Sequence, residues 1–178
     1  MKTELPLKTL LSAQRIRDRI LELGAQITAD YGHDELTVVA VLKGSVLFFA
    51  DLIRAIDRPV MVDFLEVSSY GDETKSSGVI RITKDLTHSV TGQHVLIVED
   101  IIDTGLTMRY LLENLRTRRP ASLRICTLLE KLPRPASTAD LVIDYSGFII
   151  DDKFVIGYGL DHKGYCRNIP EICYLEVP

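Results

Sequence analysis

Two short runs, 37–42 (TVVAVL) and 94–98 (HVLIV), carry apolar, mostly β-branched side chains at consecutive positions, and this constrains the chain more than any other feature. A strand with one wet face alternates apolar and polar residues, whereas a run apolar on both faces must be covered on both. Helices are the natural cover. Leu10, Ile16, Ile20, Leu23 and Ile27 fall on one face of a helix predicted over 9–29 and ended by Gly32. A second helix is predicted over 46–56, with Ser45 as its N-cap. A third follows Gly105 as far as about Thr117, with Leu111, Leu112 and Leu115 inward. Further strands are predicted at 60–67, 123–129, 154–157 and 173–177, with 79–83 as a hairpin partner. Strands alternating with helices give the α/β class, here a mostly parallel twisted sheet flanked by helices.

Composition narrows the function classes. The 178 residues carry 21 Lys and Arg against 25 Asp and Glu, a net charge of −4. That sign argues against nucleic-acid binding driven by bulk charge. The length predicts one domain over 1–178 with its own core. The apolar runs are far shorter than the roughly 20 residues that span a bilayer, and the first ten residues hold no signal-peptide core. Cys126, Cys166 and Cys173 share no CxxC spacing, so neither a disulfide framework nor a zinc knuckle is expected. The expectation is a soluble cytoplasmic protein with no nucleic-acid or membrane partner.

The chemistry concentrates at 95–107 (VLIVEDIIDTGLT). A buried strand runs into two adjacent carboxylates, Glu99 and Asp100, and then Asp103-Thr104-Gly105-Leu106-Thr107 opens a helix. Ligands of open α/β sheets sit beyond the carboxyl ends of the strands. Amide groups at a helix start favour an anion, Gly105 permits close backbone approach, and Thr104 and Thr107 add hydroxyls. That end of the loop suits a phosphate. The acid pair repels a phosphate and suits a magnesium ion or sugar hydroxyls instead. A phosphate site beside a carboxylate pair fits a phosphorylated sugar. Neither GxxxxGK[ST] nor GxGxxG is present.

This segment resembles the phosphoribosyl-diphosphate-binding motif of the type I phosphoribosyltransferases. From about Leu7 to the C-terminus the chain resembles the bacterial hypoxanthine (hypoxanthine-guanine) branch of that family, with VLKGS, VSSYGD and DKFVIGYGLD as independent support. The resemblance implies a small hood formed by the N- and C-terminal segments and a flexible lid at about 68–88, and a reaction joining a 6-oxopurine to phosphoribosyl diphosphate with release of diphosphate. It implies that Glu99 and Asp100 hold the ribose hydroxyls, partly through Mg2+, and that Asp103 is the catalytic base near purine N7. Thr104, Gly105, Leu106 and Thr107 would cradle the 5-phosphate. Lys43 and Gly44, with Arg167, would bind diphosphate, and members often carry a cis peptide before this lysine. Lys131 would meet the purine's exocyclic oxygen, Phe154 would stack on the base, and Val155 would offer backbone contacts to its edge. Asp161, close to the purine's edge, would complete the magnesium ligands with Glu99 and Asp100. Ser68, Ser69 and Tyr70 would close over the sugar diphosphate. Members are homodimers or homotetramers.

The pattern is departed from at Ser45, where some members have glycine, and at His162, Gly164 and Cys166, where larger or different residues are usual. Three alternatives bear on function. A guanine- or xanthine-preferring sibling shares most of the motif. A sensor of phosphoribosyl diphosphate that binds nucleic acid would lack the acid retained at Asp103; the run Arg116, Arg118, Arg119 reads as a solvated helix end. An aspartic protease, suggested by Asp103-Thr104-Gly105, is opposed by the preceding acid pair and the following helix.

Overall fold

Every residue from Leu36 to Val41 is buried, as the sequence of this run requires. In the computed structural model, which describes residues 6–70 and 79–175, the elements are β1 (Leu7–Leu11), α1 (Ala13–Tyr31), β2 (Leu36–Leu42), α2 (Val46–Ala55), β3 (Met61–Tyr70), β4 (Val79–Lys84), β5 (His94–Ile102), α3 (Leu106–Arg116), β6 (Ser122–Lys131), a 3-10 turn at Ala136–Thr138, β7 (Tyr145–Ile150), β8 (Val155–Ile156) and β9 (Ile172–Leu175). Six strands form one sheet in the order β4-β3-β2-β5-β6-β7. All its neighbours are parallel except β3 and β4. A second sheet, β1-β9-β8, is antiparallel and draws on both terminal segments, as expected of the hood.

The period-2 geometry of β2 and β5 feeds two cores. Val38, Ala40, Leu96 and Val98 pack with Ile16, Leu23, Phe48 and Leu52 of α1 and α2. Val39, Val41, Val95 and Ile97 pack on the other face with Met108, Leu111 and Leu115 of α3. Adjacent residues of one strand thus serve opposite faces, the arrangement that a doubly apolar run predicts. Among the described residues no helix is long and apolar enough to cross a membrane. The three cysteines are free and buried.

Several expectations need correction. The helix predicted from 9 begins at Ala13; residues 7–11 form β1, whose Leu7 and Thr9 pair with Leu175 and Cys173 of β9. Ser12, in an extended conformation, caps α1 by accepting from the Arg15 N–H at 3.3 Å, so pairing with a distant strand overrides the helical spacing of Leu10. Gly32 does end α1, at φ 52°. Ser45 does not cap α2 with its side chain; its hydroxyl donates to the Val41 carbonyl at 2.5 Å. Ser68, Ser69 and Tyr70, read as loop, continue β3 and face Arg81, Ile80 and Val79 of β4. The remainder of the polar stretch, 71–78, lies outside the described residues. β7 was not anticipated; its Gly147 is pressed so closely on β6 that a Cβ would overlap the Leu128 carbonyl. Arg19 of α1 reaches this outer strand, donating to the carbonyls of Gly147 at 3.0 Å and Ser146 at 2.8 Å.

Leu96 is fully buried at the centre of the larger sheet. Leu96→Ala should lower unfolding free energy by about 3 kcal/mol in urea titration, because the cavity adds to the lost transfer energy. Leu21→Ala, at a residue 56% exposed, should shift it by no more than about 0.5 kcal/mol.

Candidate active site

Four neighbouring parallel strands bring charged groups to one edge. Lys43 follows β2; Glu99 and Asp100 lie near the end of β5, with Asp103 just beyond; Lys131 ends β6; Asp152 follows β7. From β2 the chain moves outward to β3, and from β5 outward the other way to β6 and β7. The crevice therefore opens at the point where strand order reverses, the usual place for a ligand in such a sheet.

The anion end is built on Gly105. Its φ of 78° is left-handed, so glycine relieves the strain there, and it opens α3 at Leu106. A Cβ on Gly105 would sit 3.1 Å from Leu141 and 3.2 Å from Thr138. Thr138 is fully buried, and its hydroxyl donates to the Thr104 carbonyl, fixing the loop from behind. Thr104 Oγ1 accepts from the Leu106 N–H at 3.5 Å. The first amides of α3 have no helical acceptor, and they border a cavity of about 100 Å³ bounded by Glu99, Asp103, Thr104, Gly105 and Thr107. Leu106 is 42% exposed and adds backbone only. A larger cavity, about 740 Å³, lies between α1, α2 and residues 168–170 and contains none of these groups.

Glu99 and Asp100 form the electrostatic centre. Asp100 is buried and accepts from the Ile101 N–H at 3.0 Å. Burial, then repulsion from Asp100, pushes the Glu99 carboxyl well above its ordinary range. Burial also pushes Asp100 up, partly opposed by its hydrogen bond with Glu99 and by the charge of Arg167. Two close carboxylates driven out of water need a cation or a shared proton.

The turn after β2 packs directly on this pair. A Cβ at Gly44 would overlap the Asp100 carboxylate, and one at Gly159 would overlap the Gly44 carbonyl. Gly159 has φ 98°, and its carbonyl accepts from Arg167 Nη1 at 2.6 Å. Arg167 also pairs with Asp161 at 2.6 Å, whose other oxygen accepts from the Gly164 N–H at 2.7 Å. Lys43 follows a cis peptide bond with Leu42 and points its ammonium to within 3.8 Å of Glu66. Lys43, Gly44, Asp100, Asp161 and Arg167 thus share one corner. Among the described residues no three His, Cys, Asp or Glu side chains converge on a metal position. Glu99 and Asp100 are the pair able to hold a hard cation, leaving its other positions to substrate oxygens and water.

A second corner gathers the remaining candidates. Lys131 Nζ lies 3.1 Å from Asp103 and 2.9 Å from Asp152. Phe154 is 55% exposed, so its ring is a surface and not core packing. His162 meets it edge-on, centroids 5.6 Å apart at 81°. The residue that departs from the family pattern therefore supports the exposed ring. Val155 is buried beside it in β8. The described residues leave out the side chains of Ser69 and Tyr70; Ser68 is exposed. Sequence reasoning missed Thr138, Gly159 and Asp152. Only Asp152 gave a signal, as part of an acid pair just before Phe154.

The Phosphoribosyl transferase domain family matches residues 6–163. The chain is 46% identical over 171 residues to the hypoxanthine-guanine phosphoribosyltransferase of Aquifex aeolicus (strain VF5), covering 96% of this chain and 95% of that protein. It is 46% identical over 169 residues to the Bacillus subtilis (strain 168) hypoxanthine-guanine phosphoribosyltransferase, covering 95% and 93%. The crystal structure of a hypoxanthine phosphoribosyltransferase from Staphylococcus aureus superposes with a TM-score of 0.89 at 44% identity, covering 95% of this chain and 91% of that one.

The acid pair makes stability pH-dependent in a defined direction. Glu99 binds its proton more tightly folded than unfolded, so in that interval the folded state holds more protons and loses stability as pH rises. Glu99→Gln removes this liability. Without divalent cations its thermal midpoint should exceed that of the wild type at pH 7, and the difference should vanish near pH 4, where both states are protonated.

Proposed function

We propose roles for these residues from one premise: the chain belongs to the phosphoribosyl transferase family, among its type I hypoxanthine-guanine members. It is a hypoxanthine-guanine phosphoribosyltransferase, an enzyme of purine salvage that forms IMP and GMP from hypoxanthine or guanine and 5-phosphoribosyl 1-diphosphate. The observation that carries this reading is the close placement, at the end of β5, of a buried Asp100, its half-buried neighbour Glu99 and the left-handed glycine that opens α3.

The base nitrogen bonds to ribose C1 as the bond from C1 to diphosphate breaks. Positive charge grows on the ribose, so the site must hold both reactants and stabilise charge; no protein nucleophile is needed. Thr104 and Thr107 anchor the 5-phosphate through amides and hydroxyls, and Gly105 and Leu106 through their amides alone. Glu99 and Asp100 accept from the ribose hydroxyls, and their negative charge favours the cationic sugar. The Gly44 turn, Lys43 and Arg167 hold the departing diphosphate, with Arg167 offering its fork to phosphate oxygens. Asp103 takes the proton that leaves purine N7. Lys131 donates to the 6-oxo group, Phe154 stacks on the base and Val155 lends backbone groups to its edge.

Glu99 and Asp100 would hold Mg2+, which would offset the charge of the diphosphate; Asp161, expected as a third ligand, does not converge with them and is engaged instead by Arg167 and the Gly164 N–H. The fit rests on the buried pair itself, whose mutual repulsion a divalent cation relieves. Ser68, Ser69 and Tyr70 belong to the lid of 68–88, whose closure excludes water from C1. The whole of 1–178 works as one domain, in a cytoplasmic homodimer or homotetramer, on small-molecule substrates alone.

Rates with phosphoribosyl diphosphate, magnesium and each of hypoxanthine, guanine, xanthine and adenine test the reading. Hypoxanthine or guanine should be used best. Xanthine used best would assign the xanthine-preferring sibling, and adenine used best would remove the role given to Lys131. Asp103→Asn should cut turnover by roughly 10²-fold or more while sparing sugar-diphosphate affinity. Chelation should abolish activity, and added magnesium should restore it.

A further inference from the structure

We propose that Asp152 is a positioning residue that sets base specificity: it holds the Lys131 ammonium against Asp103 so that one N–H remains for the 6-oxo group of the purine. This rests on the roles given above to Lys131 and Asp103. An ammonium has three donors and no acceptor. Lys131 is 13% exposed and gives one donor to Asp103 at 3.1 Å and one to Asp152 at 2.9 Å. The two carboxylates reach it from different elements, the loop after β5 and the turn between β7 and β8. They are the charged groups facing Lys131; burial alone would lower its proton affinity, and the two acids outweigh burial and raise it.

Two acids achieve what one cannot. In the reaction Asp103 takes a proton from the base and loses its negative charge. A lysine paired with Asp103 alone would lose its only counter-ion at that moment. Asp152 stays ionised and keeps the ammonium charged through the transfer. A charged ammonium has no lone pair, so it cannot accept from a 6-amino group, and adenine would set donor against donor. Asp152 also lies two residues before Phe154, so the group that aims the ammonium and the ring that bears the base share one short turn.

Asp152 is suited to a direct test, since its side chain is 86% exposed and its carboxylate's one partner among the described residues is Lys131. Initial rates with Asp152→Asn and Asp152→Glu, from about pH 7 to 10.5, would bracket the lysine's titration. Asp152→Asn should raise the KM for hypoxanthine roughly three- to fivefold, the scale of an exposed ion pair. The alkaline fall in kcat/KM should move to lower pH, because the lysine now gives up its proton more easily. The ratio of adenine to hypoxanthine use should rise, and Asp152→Glu should restore all three measures. Unchanged KM with an unmoved alkaline limb would overturn the proposal, as would a fall in kcat with that limb in place. A wild-type enzyme inactive with every base would instead overturn the reading on which the proposal rests.

Discussion

Two carboxylates removed from water at the end of β5 are the constraint around which the rest of the site is arranged. The strand that carries them is apolar and buried over Val95–Val98 and cannot shift outward to solvate them. On the Asp100 side the neighbours are small or cationic. Gly44 lacks a side chain because the Asp100 carboxylate occupies its place, and Gly159 lacks one because the Gly44 carbonyl does. Arg167 then closes the stack through the Gly159 carbonyl. A charge buried in the main sheet thus determines how closely the hood turn can approach the turn after β2.

The division of labour across the crevice follows from chain order. β5 supplies both the acid pair and, a few residues later, the start of α3, so the residues proposed for the sugar and its phosphate form one continuous segment. Those proposed for the base come from pieces far apart in sequence: Asp103 after β5, Lys131 at the end of β6 and the turn 151–154 after β7. The sugar end is rigidified from behind by Thr138, whereas the base end is held by charge pairing across a half-open edge. Relatives that differ in base preference can therefore vary the second region without disturbing the first.

The two doubly apolar runs made the parallel sheet legible, because consecutive β-branched residues have few other solutions. The phosphate loop was legible for a similar reason: acid pair, aspartate, glycine and two threonines at one strand-to-helix junction combine chemistries that seldom coincide. β1 was not legible, because Leu10 shares the helical spacing of Ile16 and Ile20, and only the pairing of Leu7 with Leu175 decides otherwise. β7 was hidden because Ser146 and Gly147 interrupt its apolar run, and only the Leu128 carbonyl shows why glycine stands there. Thr138 and Gly159 matter through what they touch across the fold, and no local pattern encodes that. Phe154 is exposed, so it is not the core residue that its place at a strand start would equally suggest.

The outer strand β7 also has a bearing on behaviour at high concentration. An unpaired strand at a sheet margin is a template on which another chain can add, and Ile149 on this one is 65% exposed. Arg19 engages the carbonyls of the adjacent Ser146 and Gly147, and because successive carbonyls of a strand face opposite edges it occupies one acceptor that an incoming strand would need. The guanidinium also brings a positive charge that any approaching neighbour would have to desolvate. The molecule thereby guards its margin against intermolecular β-pairing with one side chain from its first helix, leaving the catalytic edge of the same sheet unencumbered.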